Sequence, residues 1–412
     1  MSHSHLSHSH PQQDRVRVVH LSSVHSAEDA RIFSKECISL AKAGYDVSLV
    51  VPDNRLREAG GQPVRRQDVD ILAVKRNQGL PKRLFRTTWA VLFAALKRRG
   101  DVYHFHDPEL IPMGLLLRLL GKRVVYDVHE DLPRDLMTRR WIPRALRQPV
   151  ASAVALAEWA AGRAMSGVVA ATPIIARRFP KDKTALVQNF AILEELGDVG
   201  GPPLAERRGV AIVGGITVDR CALDMVEAIG RVGRFPDVKL LMAGNMESTA
   251  LRERLEALPG WARVDYRGHL DRPGVRQLLG ESRVGLVLYY PTRNYAEAQP
   301  VKLFEYMATG IPIIVADLPY LRSVVDGHRC GLVVPPRDPA AVASAIEWMF
   351  DHPEEAAEMG RRGQEAVRSL YNWGHEEREL IRLYDRIAPR RSRGRGRTPL
   401  PGLAREETEA RS

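Results

Sequence analysis

Cysteine is scarce in this chain of 412 residues. Cys37, Cys221 and Cys330 are too few and too scattered for a disulfide framework or a metal-ligand spacing, which excludes a stapled secreted scaffold and points to a reducing compartment. Long apolar runs are missing as well. The longest, around 111–120, is broken by Arg118 and falls short of the roughly 20 apolar residues that cross a bilayer, so a cytoplasmic protein without a membrane span is expected. The opening MSHSHLSHSHPQQDR has no apolar signal-peptide core and reads as a solvated tail. Zinc-finger, zipper and aromatic-interleaved RNA-binding patterns are absent, which argues against nucleic acid as a partner despite a formal net charge of +11.

What is present is a globular body. Apolar residues make up 44% and charged residues 27%, enough for a core in each of two domains, and a single core stops growing at roughly 250–300 residues. Part of the basic excess lies in a tail at 389–412, where seven arginines stand against three glutamates among Gly, Ser and Pro, a composition that buries no core. The rest of the charge could serve anionic small molecules or an anionic lipid surface.

Along the body, short apolar runs alternate with amphipathic stretches. VRVVHLSS, a helical pattern over 30–43, YDVSLVVPD, DILAVKR, a helix over 84–99, DVYHFHD, a helix over 110–120, KRVVYDVHE, a helix over 145–165, SGVVAAT and TALVQNF follow one another. After Asn189 comes a polar stretch with Gly-Gly-Pro-Pro. Then GVAIVGG, VKLLMAG, ARVDYRG, VGLVLYY, IPIIVAD and CGLVVPP supply a second series. This β-α-β rhythm predicts two doubly wound, Rossmann-like α/β domains facing across a cleft. The expected order is a His-rich tail at 1–14, a domain over 15–195, a linker at 196–208, a domain over 209–365, a helix over 366–388 returning to the first domain, and the basic tail at 389–412. Ligands of such sheets bind outside the carboxyl ends of the strands.

The segment NYAEAQPVKLFEYMATGIPIIVAD sits at such a place. Glu297 and Glu305 lie eight positions apart with Lys302 between them, in a loop entering a helix that starts near Pro300 or Val301. The free N–H groups and positive dipole end of that helix would seat a diphosphate, and Lys302 would add a point charge. Glu305, one turn on, could accept from the vicinal hydroxyls of a ribose, and Glu297 from those of a sugar. The bland alternative is a pair of solvated glutamates on a helix face.

The string Pro300-Val301-Lys302-Leu303-Phe304-Glu305-Tyr306-Met307-Ala308-Thr309-Gly310-Ile311-Pro312 resembles the Glu-x7-Glu signature of the family 4 retaining glycosyltransferases, in the branch with Pro-x-Lys-Leu-Phe-Glu-Tyr-Met. The resemblance covers about residues 16–385 and implies the two-domain GT-B fold, with an N-terminal acceptor domain and a C-terminal nucleotide-sugar domain. It implies that Glu297 contacts the donor sugar and Glu305 the ribose, with Ala298, Gln299 and Leu303 in the same donor-binding segment. The loop Val213-Gly214-Gly215-Ile216-Thr217-Val218-Asp219-Arg220-Cys221 is similar to the family's phosphate loop. Arg220 stands where a basic residue is expected, Gly215 occupies a position that is often Arg, and Cys221 replaces a usual Gly, which leaves the clamp to Arg220 and Lys302. Gly268 and His269 fall in a turn that resembles the family's base-recognition turn, where main-chain groups meet the base.

On the other side of the cleft, DVYHFHDPEL resembles a His-x-His-(Asp/Glu)-Pro string whose second His points toward the transferred sugar, a role that falls to His106. Asp107 as a helix cap and His104 as a buried hydrogen-bonded group are the structural readings of its neighbours. His129 and Glu130, in YDVHED, and His25 and Arg31, in the first loop, are acceptor-side candidates. Asp29 is a candidate helix cap.

The resemblance implies retention of anomeric configuration, with the leaving diphosphate deprotonating the acceptor. Arg220, Lys302 and the helix N-terminus would stabilise the charge developing on that leaving group. His106, Glu297, Arg220 and Lys302 form the expected catalytic set. No Asp-x-Asp metal string is read in the chain, so metal-independent transfer is expected, without a cofactor beyond the nucleotide-diphosphate sugar itself. The acceptor is a hydroxyl, on a small molecule or a lipid. The helix over 84–99, flanked by Lys82, Arg83, Lys97, Arg98 and Arg99, could touch an anionic bilayer, against the plainer reading of a helix packed on its sheet. The rival readings are a GT-B nucleotide-sugar epimerase, a sugar phosphorylase, and a non-catalytic nucleotide-sugar-binding protein.

Overall fold

A computed structural model describes residues 15–58, 62–139, 142–196, 199–292 and 295–389. The tails expected at 1–14 and 389–412 lie outside them, apart from Pro389. The first sheet takes β1 (Arg17–Leu21), β2 (Asp46–Pro52), β3 (Val64–Arg66), β4 (Val69–Val74), β5 (Val102–Phe105), β6 (Arg123–Val128), β7 (Gly167–Ala170) and β8 (Thr184–Leu186). The second takes β9 (Gly209–Val213), β10 (Lys239–Ala243), β11 (Val264–Tyr266), β12 (Ser282–Val287), β13 (Ile313–Ala316) and β14 (Gly331–Val334).

Their spatial orders are β3-β4-β2-β1-β5-β6-β7-β8 and β11-β10-β9-β12-β13-β14. Among the described strands, the β3–β4 pair alone is antiparallel. Such central strands, covered on both faces, need continuous apolar runs rather than alternation. Val47, Leu49, Val50 and Val51 of β2, and Ile313, Ile314 and Val315 of β13, are accordingly buried. The short edge strand β3 has no apolar run of its own. It was not anticipated because its VRR reads as loop.

Each sheet reverses its winding once, between β1 and β5 in the first and between β9 and β12 in the second. At such a switch point the connections leave in opposite directions and open a crevice at the strands' carboxyl ends. Two chain crossings join the domains, and they touch at the bridge between Ala191 and Asn372. Past the second crossing, the helix Trp373–Ile387 lays Leu380, Leu383 and Tyr384 into the core of the N-terminal domain. Trp373 Nε1 donates to Ser39 Oγ at 2.9 Å and Tyr45 donates to Asp385 at 3.0 Å.

Candidate active site

The donor-side residues gather at the second switch point. After β9, the chain turns through Thr217, whose hydroxyl accepts from Arg220 N at 3.2 Å, and reaches Cys221 with φ +54°. Glycine adopts that left-handed backbone most readily, and here a cysteine holds it. Arg220 Nη1 donates to Gly215 O at 3.2 Å, whereas its buried Nε has no partner in the protein.

After β12, the chain runs through Tyr289 and Tyr290 to the helix Val301–Ala308, whose cap residue Pro300 offers no side-chain hydrogen bond to the first turn. Lys302 is buried, its Nζ 5.2 Å from the centre of the Tyr289 ring. Burial, helped by the like charge of Arg220, pushes its ammonium down to about 7. Two cations are thus held near each other beside an uncapped helix start, an arrangement that an anion would relieve.

The two carboxylates are engaged in different ways. Glu305 is buried and accepts from Arg272 Nη1 at 2.7 Å, while Arg272 Nη2 donates to Glu195 at 2.6 Å. Glu297 has a side chain 45% exposed and ion-pairs with Arg134 of the opposite domain. Leu303 is buried in the domain core behind the helix. Ala298 lies in the turn before the helix, where its N–H donates to Tyr295 O at 3.1 Å. Gly268, with φ +63°, accepts from Gly244 N at 2.7 Å, and His269 beside it is exposed.

Across the cleft, a pocket of about 280 Å³ is lined by His25, Arg31, His129 and Glu130 together with Gln299 of the donor loop. All four acceptor-side residues therefore meet one donor-side residue in a single cavity. Gln299 also accepts from Gln188 Nε2 at 3.2 Å.

Arg31 lines this pocket with its charge already spent. It bonds Asp127 through Nε at 3.0 Å and Nη2 at 2.7 Å, and Val187 O through Nη1 at 3.0 Å. His25 and His129 are the freer pair, their Nε2 atoms 3.2 Å apart. Burial lowers the basicity of His25, but its hydrogen bond to Asp29 and the nearby Asp107 outweigh that and raise its pKa. Asp29 caps the following helix, accepting from Arg31 N and Ile32 N at 2.9 Å.

His106 does not face the cleft, which corrects the expected orientation. Its ring is fully buried, with Nδ1 3.0 Å from Asp127 and Nε2 2.9 Å from His20 Nδ1. Alternation puts His104 and His106 on one face of β5, and that face turns inward, under Glu36 and the returning helix. There Tyr384 meets His104 Nδ1 at 2.9 Å. Asp107 supports the first loop, accepting from Ser22 Oγ at 2.8 Å and Ser23 N at 2.6 Å, and its side chain makes no cap bond to the turn after it.

Sequence reasoning missed His20 and Glu36, which sit in no local motif, and passed from YDVHED to His129 and Glu130 without singling out Asp127. His20, Glu36, His104 and His106 bring their ligand-type atoms within 4.8 Å of one another, the metal-type grouping found among the described residues. Burial and neighbouring imidazoles push His20 and His104 well below the ordinary histidine range, while burial and Asp127 push Glu36 well above the carboxylate range. Hydrogen bonds join His20 to His106 and His104 to Tyr384, while both Glu36 carboxyl oxygens and the Nε2 atoms of His20 and His104 are buried without a hydrogen-bond partner. Against the expectation of none, the chain holds one Asp-x-Asp spacing, Asp68 and Asp70. It lies away from the cleft and is ion-paired with Arg65 and Arg98.

With this geometry in hand, two family descriptions fit the chain. "Glycosyl transferases group 1" matches residues 207–352 and "Glycosyl transferase 4-like domain" matches residues 34–189. The chain belongs to the family 4 glycosyltransferases. A D-rhamnosyltransferase, WbpZ, of Pseudomonas aeruginosa is 32% identical over 113 residues, which is 27% of this chain and 29% of that protein. A phosphatidyl-myo-inositol mannosyltransferase of Mycobacterium leprae is 23% identical over 294 residues, 70% of this chain and 74% of that one.

Among solved structures, the sucrose-phosphate synthase of Thermosynechococcus elongatus aligns with TM-score 0.69 at 20% identity, covering 90% of this chain and 99% of that one. Anabaena HepE in complex with UDP-glucose aligns with TM-score 0.67 at 13% identity, covering 90% and 100%. These establish the GT-B fold of the glycosyltransferase. No helix among its described residues is long and apolar enough to cross a membrane.

Proposed function

We propose that this glycosyltransferase moves a sugar from a nucleotide-diphosphate donor, seated at the β9/β12 switch point, to a hydroxyl acceptor held in the pocket of His25 and His129, with retention and without a metal. The observation that carries the reading is the meeting of Arg220, buried Lys302 and the uncapped start of the Val301–Ala308 helix, with Glu297 and Glu305 on either side.

Cations and N–H groups fixed in a site that excludes water stabilise charge leaving on a phosphate without reorganising. They supply what a divalent ion supplies elsewhere. Glu305 would take the ribose hydroxyls after release from Arg272, and Glu297 the sugar after release from Arg134. His106 sits too deep to touch the sugar. It acts in this reading through Asp127, which also orients His129. HepE is described as binding UDP-glucose, and the mycobacterial relatives are named for a phosphatidylinositol acceptor. The first supports a nucleotide-sugar donor here, and the second a hydroxyl acceptor carried on a lipid.

Thermal-shift and mass-spectrometric screening against common nucleotide sugars, in the presence of chelator, tests the reading. One donor is expected to stabilise the protein and to release free nucleotide slowly. Glu297→Ala and Glu305→Ala should weaken both effects at least tenfold. No response to any donor would overturn the reading, and stabilisation without turnover on any acceptor would leave a binding protein. Turnover abolished by chelator would refute metal independence.

A further inference from the structure

Three helices lie side by side on the outer face of the N-terminal sheet: the run of turns Leu80–Lys82, Arg83–Thr87 and Thr88–Lys97, then Ile111–Leu119, then Arg144–Ala164. Their inner sides share one core through Val91, Leu92, Met113, Leu117 and Ala161. Their outer sides are unusual for a soluble surface. Phe85 and Phe93 are 69% and 57% exposed, with Trp89 between them on the same helical stripe. Leu119 on the next helix is 85% exposed, and Leu156 and Trp159 on the third are exposed as well.

The charge on this face has one sign. The three helices carry eight lysines and arginines against one acidic residue, Glu158. Glu158 is buried beneath them, accepting from Tyr126 Oη at 3.0 Å and paired with Arg178. Lys82, Arg86 and Lys97 flank the aromatic stripe, all exposed. Beside Phe93, an apolar groove of about 270 Å³ runs against β4, with Lys97 at its edge.

We infer that this face docks on the surface of an anionic lipid bilayer, its aromatic and leucine side chains entering the headgroup boundary and its cations meeting lipid phosphates. Aromatics at the centre, cations around them and no exposed carboxylate is the chemistry that an acidic bilayer complements, since apolar insertion and electrostatic attraction then act together. A protein partner would have to present an acidic patch around an apolar centre, whereas an acidic bilayer offers both over its whole surface. The face also leads to the chemistry. Arg83 at its start bonds Glu109 at 3.1 Å, and Glu109 accepts from Ser23, two residues before His25 of the pocket. The docked protein would therefore hold its acceptor pocket near the membrane surface, which makes the acceptor a lipid-borne hydroxyl. That last consequence rests on the transferase reading, whereas the docking itself does not.

Co-sedimentation of the full chain with vesicles of equal parts phosphatidylglycerol and phosphatidylcholine tests the inference, with pure phosphatidylcholine alongside. Binding to the acidic vesicles is expected to weaken with added salt. It should fall at least tenfold in the combined Phe85→Ser, Trp89→Ser, Phe93→Ser variant. It should fall about a hundredfold in the combined Lys82→Gln, Arg86→Gln, Lys97→Gln variant, at about fivefold for each cation near the surface. Tryptophan emission should be quenched by brominated acyl chains in the parent and less so in the aromatic variant.

Both variants change exposed side chains and should keep the parent's melting midpoint and its donor-induced thermal shift, so a failure of docking stays distinct from a failure of the donor site. Absence of binding to acidic vesicles would overturn the inference. Binding unchanged in both variants would do the same and move the contact to the basic segment at 389–412. Self-association without lipid that the aromatic variant abolishes would assign the face to a second copy of the chain instead.

Discussion

A buried lysine held near an arginine costs stability, and Lys302 makes that cost measurable. Its ammonium titrates at about 7 in the folded protein because burial removes its water and Arg220 repels it, against about 10.4 in an unfolded chain. Between those values the unfolded state binds a proton there that the folded state does not, so stability rises with pH across that window. Below about 7 both states are charged and the burial cost is present in full. Lys302→Met keeps the stem and removes the charge. It should stabilise the protein by up to a few kcal/mol at about pH 6 and by little at about pH 10, read from denaturant midpoints. The same variant should lose at least a hundredfold in turnover, because the cation that would meet the donor diphosphate is gone. A stability gap that stays constant with pH would show that the site does not titrate as its burial requires. Stability is given up here for charge where the reaction would need it.

The elements that carry these residues are fixed by packing that is partly visible in the sequence. Gly285 in β12 faces the Tyr306 ring, and a Cβ there would lie 2.3 Å from it. The Tyr306 hydroxyl accepts from Val213 N at 2.9 Å, so the ring ties the donor helix to the end of β9. Gly285→Ala should therefore cost about 1–3 kcal/mol by overpacking and should also shrink the donor-induced thermal shift. An unchanged midpoint would mean that the ring moves freely and that the tie is not rigid.

The strands and helices around this tie were legible because each is an apolar run or an amphipathic stretch bounded by turns, and the helix start at Val301 follows from Pro300. What could not be read locally is which way a face turns. Alternation along DVYHFHD shows that the two histidines share a side, but only the helices laid over the sheet decide that the side is the inner one. Asp127, Arg272 and Glu195 escaped for a related reason. Their partners lie at Arg31, Glu305 and across the linker, so no spacing in the chain announces them.

At the scale of the whole molecule, the two domains already touch through a residue that the donor would need. Arg134, in the helix Leu132–Thr138 of the N-terminal domain, pairs with Glu297 of the donor loop. It also lies 3.3 Å from Asp131, which ties that helix start to Arg178. Arg134 thus spans the cleft from a firm base while Glu297 sits on a loop. A sugar bound by Glu297 would have to displace this guanidinium, and the pair is exposed enough to be worth about 0–1 kcal/mol. Arg134→Ala should then lower the KM for the donor by up to about fivefold while the ionic-strength dependence of that KM flattens, since the competing pair is screened by salt. Steady-state kinetics at two salt concentrations decides the matter. A KM that rises in the variant would mean that Arg134 leaves Glu297 to hold the donor itself once the domains close, making the contact a part of the binding site instead of a competitor for it.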